Sequence, residues 1–124
     1  MQGGSVNGYV DQGINTQIQS EDGNIPIYAP SDVTVTKVKA NSDNDATYGD
    51  VTIHAGASTY VLPSPTAGID NDYQNGTSYP NIIGNHVELR ATDMIGWAGN
   101  GPLVIGVDAT TVDAQTSGTH IALI

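Results

Sequence analysis

From residue 25 onward the chain is a succession of short apolar segments with a two-residue period, separated by turn-forming residues. In residues 25–28, Ile25 and Ile27 flank Pro26. A proline there predicts an edge strand, because it has no N–H to give to a ladder. In SDVTVTKVK, Val33 and Val35 alternate with Thr34 and Thr36, the pattern of a strand with one wet face. Residues 50–54 and 58–62 predict two further strands, joined through Ala55, Gly56 and Ala57 in a hairpin or a corner. Residues 86–92 alternate most strictly, with Val87, Leu89 and Ala91 on one face and Glu88 and Arg90 on the other. Asn100-Gly101 supplies turn chemistry, residues 103–107 form a continuous apolar run suited to a central strand, and the chain closes on HIALI.

Two stretches break this rhythm. Residues 1–24 interleave glutamine and asparagine with glycine and hold only scattered apolar residues: Val6, Tyr9, Val10, Ile14 and Ile18. They are too few for a core of their own and predict an extended arm lying across another surface or pairing as a strand. The domain proper is then 25–124. Residues 63–83 make the longest irregular stretch, punctuated by Pro63, Pro65, Gly68, Gly76 and Pro80, with Tyr73 and Tyr79 as candidate surface contacts. Loops this long in a compact domain are commonly functional.

Composition narrows the class. Twelve isoleucines and eleven valines stand against four leucines and two methionines, with no phenylalanine. Branching at Cβ suits a pleated surface and disfavours helix. With thirteen threonines, fifteen glycines and six prolines, the chain reads as a single all-β domain, a β-sandwich, jelly-roll-like or β-barrel-like fold. Trp97, the sole tryptophan, is expected to anchor its core together with Leu89 and Pro63. The apolar end needs tying down, so Ile121, Leu123 and Ile124 are expected to add to the sheet or to enter a subunit interface.

Charge excludes one partner class. The net charge is −10, with Lys37, Lys39 and Arg90 as the only Lys/Arg cations. Three scattered cations cannot neutralise a run of phosphates, so nucleic acid is not expected. The start MQGGSVNGYV has neither a basic nor an apolar leader region, and no apolar run reaches membrane length, so a soluble, unprocessed chain with no membrane partner is expected. Without cysteine there is neither a disulfide nor a thiolate metal site.

Catalytic and metal signatures are weak. Asp70-Asn71-Asp72 and Asp43-Asn44-Asp45 offer alternate carboxylates for calcium. From Asp70, however, an EF-hand loop would place Gln74, Asn75 and Asn81 where it needs an oxygen ligand, a glycine and an acid, and Asx-rich turns are common without a metal. His54, His86 and His120 lie on three separate predicted strands without zinc spacing. No G-x-S-x-G elbow, P-loop or dinucleotide fingerprint occurs. No cofactor and no enzymatic activity are expected.

The segment YVLPSPTAG from Tyr60, and HVELRATDMIGW from His86 to Trp97, resemble a β-module of small structural proteins of tailed bacteriophages, in which a Leu-Pro strand and turn precede a strand ending in Gly-Trp. The chain therefore resembles capsid decoration, or cement, proteins. Gly118-Thr119 before the apolar tail is also similar to them. The resemblance implies a virion structural protein made in the host cytoplasm and placed on the outer capsid surface. There it would be a homotrimer that binds the major capsid protein, bridges capsid subunits and stabilises the shell. In that setting Val6, Tyr9, Val10, Ile14 and Ile18 would be the capsid contacts of the arm. The alternative is a carbohydrate- or receptor-binding module of a head fibre or tail spike, using Tyr73, Tyr79 and Trp97.

Overall fold

In the computed structural model, residues 10–11, 18–56, 66–71, 80–96, 104–118 and 120–124 are described. Nine strands occur in chain order: β1 (Val10–Asp11), β2 (Ile18–Gln19), β3 (Ile25–Ala29), β4 (Val33–Val35), β5 (Val38–Lys39), β6 (Val51–Ala55), β7 (Ile69–Asn71), β8 (Ile82–Ala91) and β9 (Val107–Thr116). No helix occurs among the described residues. The domain is all-β, as the surplus of β-branched residues requires.

Every ladder among the described residues is parallel. Parallel neighbours cannot be joined by a tight hairpin, so each strand meets one from a different circuit of the chain. Three walls result. The first stacks β1 on β4 on β7 and continues through Ile95 and Ile121 by single bridges. The second stacks β2 on β5, on the start of β8 and on the start of β9, with Ile105 bridged to Leu123. The third stacks β3, β6, the end of β8 and the end of β9. β8 and β9 run round the corner between the second and third walls, which makes those two a single sheet that nearly closes around the core. The chain is wound as a solenoid whose circuits enclose one apolar interior.

Alternation places the side chains. In β3 and β6 every second residue is buried, and β8 does the same from Val87 to Ala91. Stacking aligns the inward positions into columns: Ile25, Val51, Val87 and Val112; then Ile27, Ile53, Leu89 and Ala114. A third column, Ala29, Ala55 and Ala91, sits at the end of the wall, where small side chains let the chain turn. Isoleucine and valine fill this narrow interior, and no large aromatic belongs to the described core. Leu89 is fully buried there, where a leucine contributes roughly 1.5–3 kcal/mol.

The corner between the first and second walls is polar and fully bonded. Asn81 Nδ2 donates to Thr36 O and to Asn71 Oδ1, both at 3.1 Å, while Asn81 Oδ1 accepts from Gly106 N–H at 2.9 Å. Asn71 Nδ2 reaches Val104 O at 3.2 Å. Two buried amides thus tie three successive circuits together. Gly49 marks a close approach elsewhere: its N–H donates to Ala40 O, its O accepts from Asn85 N–H, and a Cβ would stand 2.3 Å from Gly23 O. Only glycine fits there.

Several expectations change. Of the hairpin or corner expected after residues 50–54, a hairpin finds no free edge, because β6 lies between β3 and β8; residues 58–62 lie outside the described residues. The strand read across residues 31–39 is broken into β4 and β5 by the corner at Thr36 and Lys37. The irregular stretch 63–83 contains β7 and the start of β8. In the segment read as an arm, β1 and β2 are rungs of the first and second walls. β3 pairs only with β6 among the described residues, the edge position that Pro26 predicts.

Candidate functional site

The outer surface of the third wall gathers most of the chain's ionisable diversity. Because β6, β8 and β9 are in register, outward residues stack as regularly as inward ones: Thr52, Glu88 and Asp113 in one row, Tyr28, His54, Arg90 and Gln115 in the next. Rows that lie far apart in sequence thereby become neighbours across adjacent strands about 4.8 Å apart.

These side chains form one network. His54 Nε2–H donates to Glu88 Oε1 at 2.6 Å, and the His54 ring meets Tyr28 edge-on with centroids 4.9 Å apart. Arg90 Nη2 reaches Glu88 Oε2 at 3.4 Å and Asp113 Oδ2 at 2.7 Å, while its Nη1 donates to Leu89 O and Asp113 O. The Arg90 hydrogen bond holds the Asp113 carboxyl below the usual carboxylate range, and the same bond raises Arg90. Beside them His86 Nδ1 and Thr111 Oγ1 pair at 2.7 Å, and Asp50 Oδ1 accepts from His86 N–H at 3.1 Å. The array is a flat, half-exposed lattice that fixes its own side chains. The His86–Thr111 pair is exposed on this wall.

A second cluster lies at the loop following β5. Carboxylate oxygens of Asp22, Asp43 and Asp45 all lie within 4.8 Å of one another, on exposed residues. Desolvation, and after it the charges of Asp45, Asp43 and Glu21, raise Asp22 above the ordinary aspartate value. Three such oxygens have the spacing to share a divalent cation. The Asp43 and Asp45 pair is legible in sequence; the contribution of Asp22 is not, because it comes from the preceding circuit. On the first wall Asp70 is raised by burial and then by Asp32 and Asp93, and Asn71 beside it turns into the buried amide network. The histidines belong to no such metal-spaced group among the described residues.

The residues singled out by sequence are distributed as follows. Ile18 is 7% exposed and packs in the core, so as a capsid contact it is corrected to a structural residue: its place in β2 leaves it facing inward. Val10 lies in β1. Leu89 is a core residue as expected. Ile121 and Ile124 are 43% and 67% exposed, and Leu123 packs partly against the core. Val6, Tyr9, Ile14, Pro63, Tyr73, Tyr79 and Trp97 lie outside the described residues. No family of proteins, curated protein or solved structure matches this chain.

Proposed function

We propose that this chain is a structural protein of a virion surface that works by contact rather than by catalysis, with capsid decoration as the first reading. The observation that carries the contact role is the rigid, in-register polar lattice of Tyr28, His54, Glu88, Arg90 and Asp113 on an open wall. Such a surface is pre-ordered, so a partner meets little entropic cost in engaging it. The virion setting comes from the resemblance of Tyr60–Gly68 and His86–Trp97 to phage β-modules. The major capsid protein is then the partner, and a homotrimer multiplies weak contacts into firm attachment. Val10 and Ile18 of the segment read as an arm belong to β1 and β2, which pair into the sheets, so the contact proposed here runs through this wall.

Light scattering of the purified protein, followed by cosedimentation with expanded phage capsids, tests this reading. A trimer that pellets at fixed stoichiometry, and loses pelleting when Arg90→Glu is introduced, supports it; a monomer indifferent to capsids overturns it.

A second reading, a carbohydrate- or receptor-binding module of a head fibre or tail spike, is favoured by a separate depression on the second wall that presents an exposed tyrosine.

A further inference from the structure

A depression of about 250 Å³ lies between the loop after β5 and the first half of β9, lined by Tyr48, Gly84, Asp108, Ala109 and Thr110. Tyr48 is 42% exposed, a large aromatic left in contact with water. Its loop is nonetheless well anchored. Gly49 N–H closes the base onto Ala40 O, Asn41 Nδ2 donates to Asp45 O at 2.9 Å, and Asp45 Oδ1 accepts from Thr47 N–H at 2.6 Å. The ring is therefore presented by a braced loop.

The rest of the lining is equally ordered. Gly84 contributes backbone alone, and a Cβ there would be crowded, 3.1 Å from both Gly49 O and Val51 Cγ2. Ala109 pairs with Gly84 across the β8–β9 ladder. Asp108 and Thr110 are both exposed and two residues apart on β9, hence on one side of the strand and roughly 6.6 Å apart along it. They flank the depression rather than converge on a single atom.

We propose that this depression is a binding site for a neutral carbohydrate, which rests on the second reading above and gives it a location. One sugar ring would lay its C–H face on Tyr48, and its hydroxyls would donate to the Asp108 carboxylate and exchange hydrogen bonds with Thr110. An apolar plate with an acceptor and a hydroxyl at its rim suits a ligand that is apolar on its faces and hydroxylated at its edge. An anionic ligand is disfavoured, because the lining holds no cation among the described residues and the chain carries a net charge of −10. A quaternary ammonium would be held by several aromatic faces, and this lining has one among the described residues.

The test is a titration of the whole chain, labelled with ¹⁵N, with neutral methyl glycosides to millimolar concentration, in parallel with Tyr48→Ala, Asp108→Ala and the salt choline chloride. Amide shifts confined to Tyr48, Gly84 and residues 108–110, with affinity at least about tenfold weaker in Tyr48→Ala at unchanged melting temperature, establish the site. Undiminished glycoside affinity in both variants overturns this location while leaving carbohydrate binding standing. No shifts with any glycoside overturn the site and the carbohydrate reading together, and a stronger response to choline overturns the ligand class. Capsid cosedimentation of Tyr48→Ala separates these outcomes from the decoration reading, which predicts unchanged pelleting.

Discussion

The inward columns of the third wall are chemically alike from one end to the other, yet their ends are not alike in burial. Ile25, Val51 and Val87 are fully buried, whereas Val112, the same kind of side chain one rung further on, is 44% exposed. The first wall repeats this: Ile69 and Ile95 are buried and Ile121 is not. The two ends differ: Ile25 is fully buried although β3 pairs only with β6 among the described residues, whereas the β9 end leaves its inward valine half-open. Apolar character alone does not make a core position; the position must also be covered, as it is at the β3 end and is not at the β9 end among the described residues. β9 is accordingly a ten-residue strand whose only strand partner is β8 among the described residues, the kind of edge that invites pairing.

The sharpest way to break this comparison is to truncate one member of a column at each end. Leu89→Ala, in the sealed interior, is expected to cost about 2–5 kcal/mol, enough to threaten a domain of ordinary stability. Val112→Ala is expected to cost about 0.5 kcal/mol or less. Urea unfolding of both variants measures the pair, and equal losses would show that the last rung is covered after all.

Asn81→Leu comes next in size. It leaves Gly106 N–H without its buried acceptor and removes a donor from Thr36 O and Asn71 Oδ1, for an expected loss of about 1–3 kcal/mol by the same measurement. Asp70→Asn is expected to stabilise. Burial, Asp32 and Asp93 raise the Asp70 pKa in the fold, so its ionisation costs nothing below the unfolded-state value. The cost develops as pH rises from the unfolded-state value through the raised folded-state value. Melting temperatures at pH 7 and pH 3 should therefore show a gain that is present at the first and absent at the second.

The smallest effect belongs to the exposed Arg90–Asp113 pair, where Asp113→Asn should lower the melting temperature slightly and only at low salt. Because the folded-state pKa of Asp113 is depressed, its stabilisation is present above the ordinary aspartate value and fades as pH falls through the lowered one.

How much of this was legible varies with the element. β3, β6 and the second half of β8 announce themselves, because one buried face imposes strict alternation: Ile25 and Ile27, Val51 and Ile53, Val87 and Leu89. β9 does not. VDATTVDAQT is mostly polar because its outward positions carry Asp108, Thr110, Thr111, Asp113 and Gln115 while its inward ones hold only valine, alanine and threonine, and it is a strand because β8 supplies a long ladder to pair with. β1 and β2 are two residues each, below any periodic signal. The outward placing of Glu88 and Arg90 follows from alternation, but their meeting with His54 and Asp113 depends on register between circuits, which local patterns do not encode. Asn71 and Asn81 look like ordinary turn residues in sequence; only the winding reveals them as buried and fully paired.

The asparagine corner also bears on how the molecule comes apart. A wound chain whose circuits touch only their neighbours can fray from an uncovered end one circuit at a time. By bonding to Thr36, Asn71 and Gly106 at once, Asn81 makes loss of one circuit the loss of bonds in two others. Residues 120–124 can thus open at the cost of their own bonds to Ile95, Ile105 and Val107, while the circuits that Asn81 joins release together. Amide hydrogen exchange would show this as one shared, slow opening for Gly106 and the β7–β8 region, distinct from a faster one at Ala122 and Ile124, whose N–H groups donate to Ile95 O and Ile105 O.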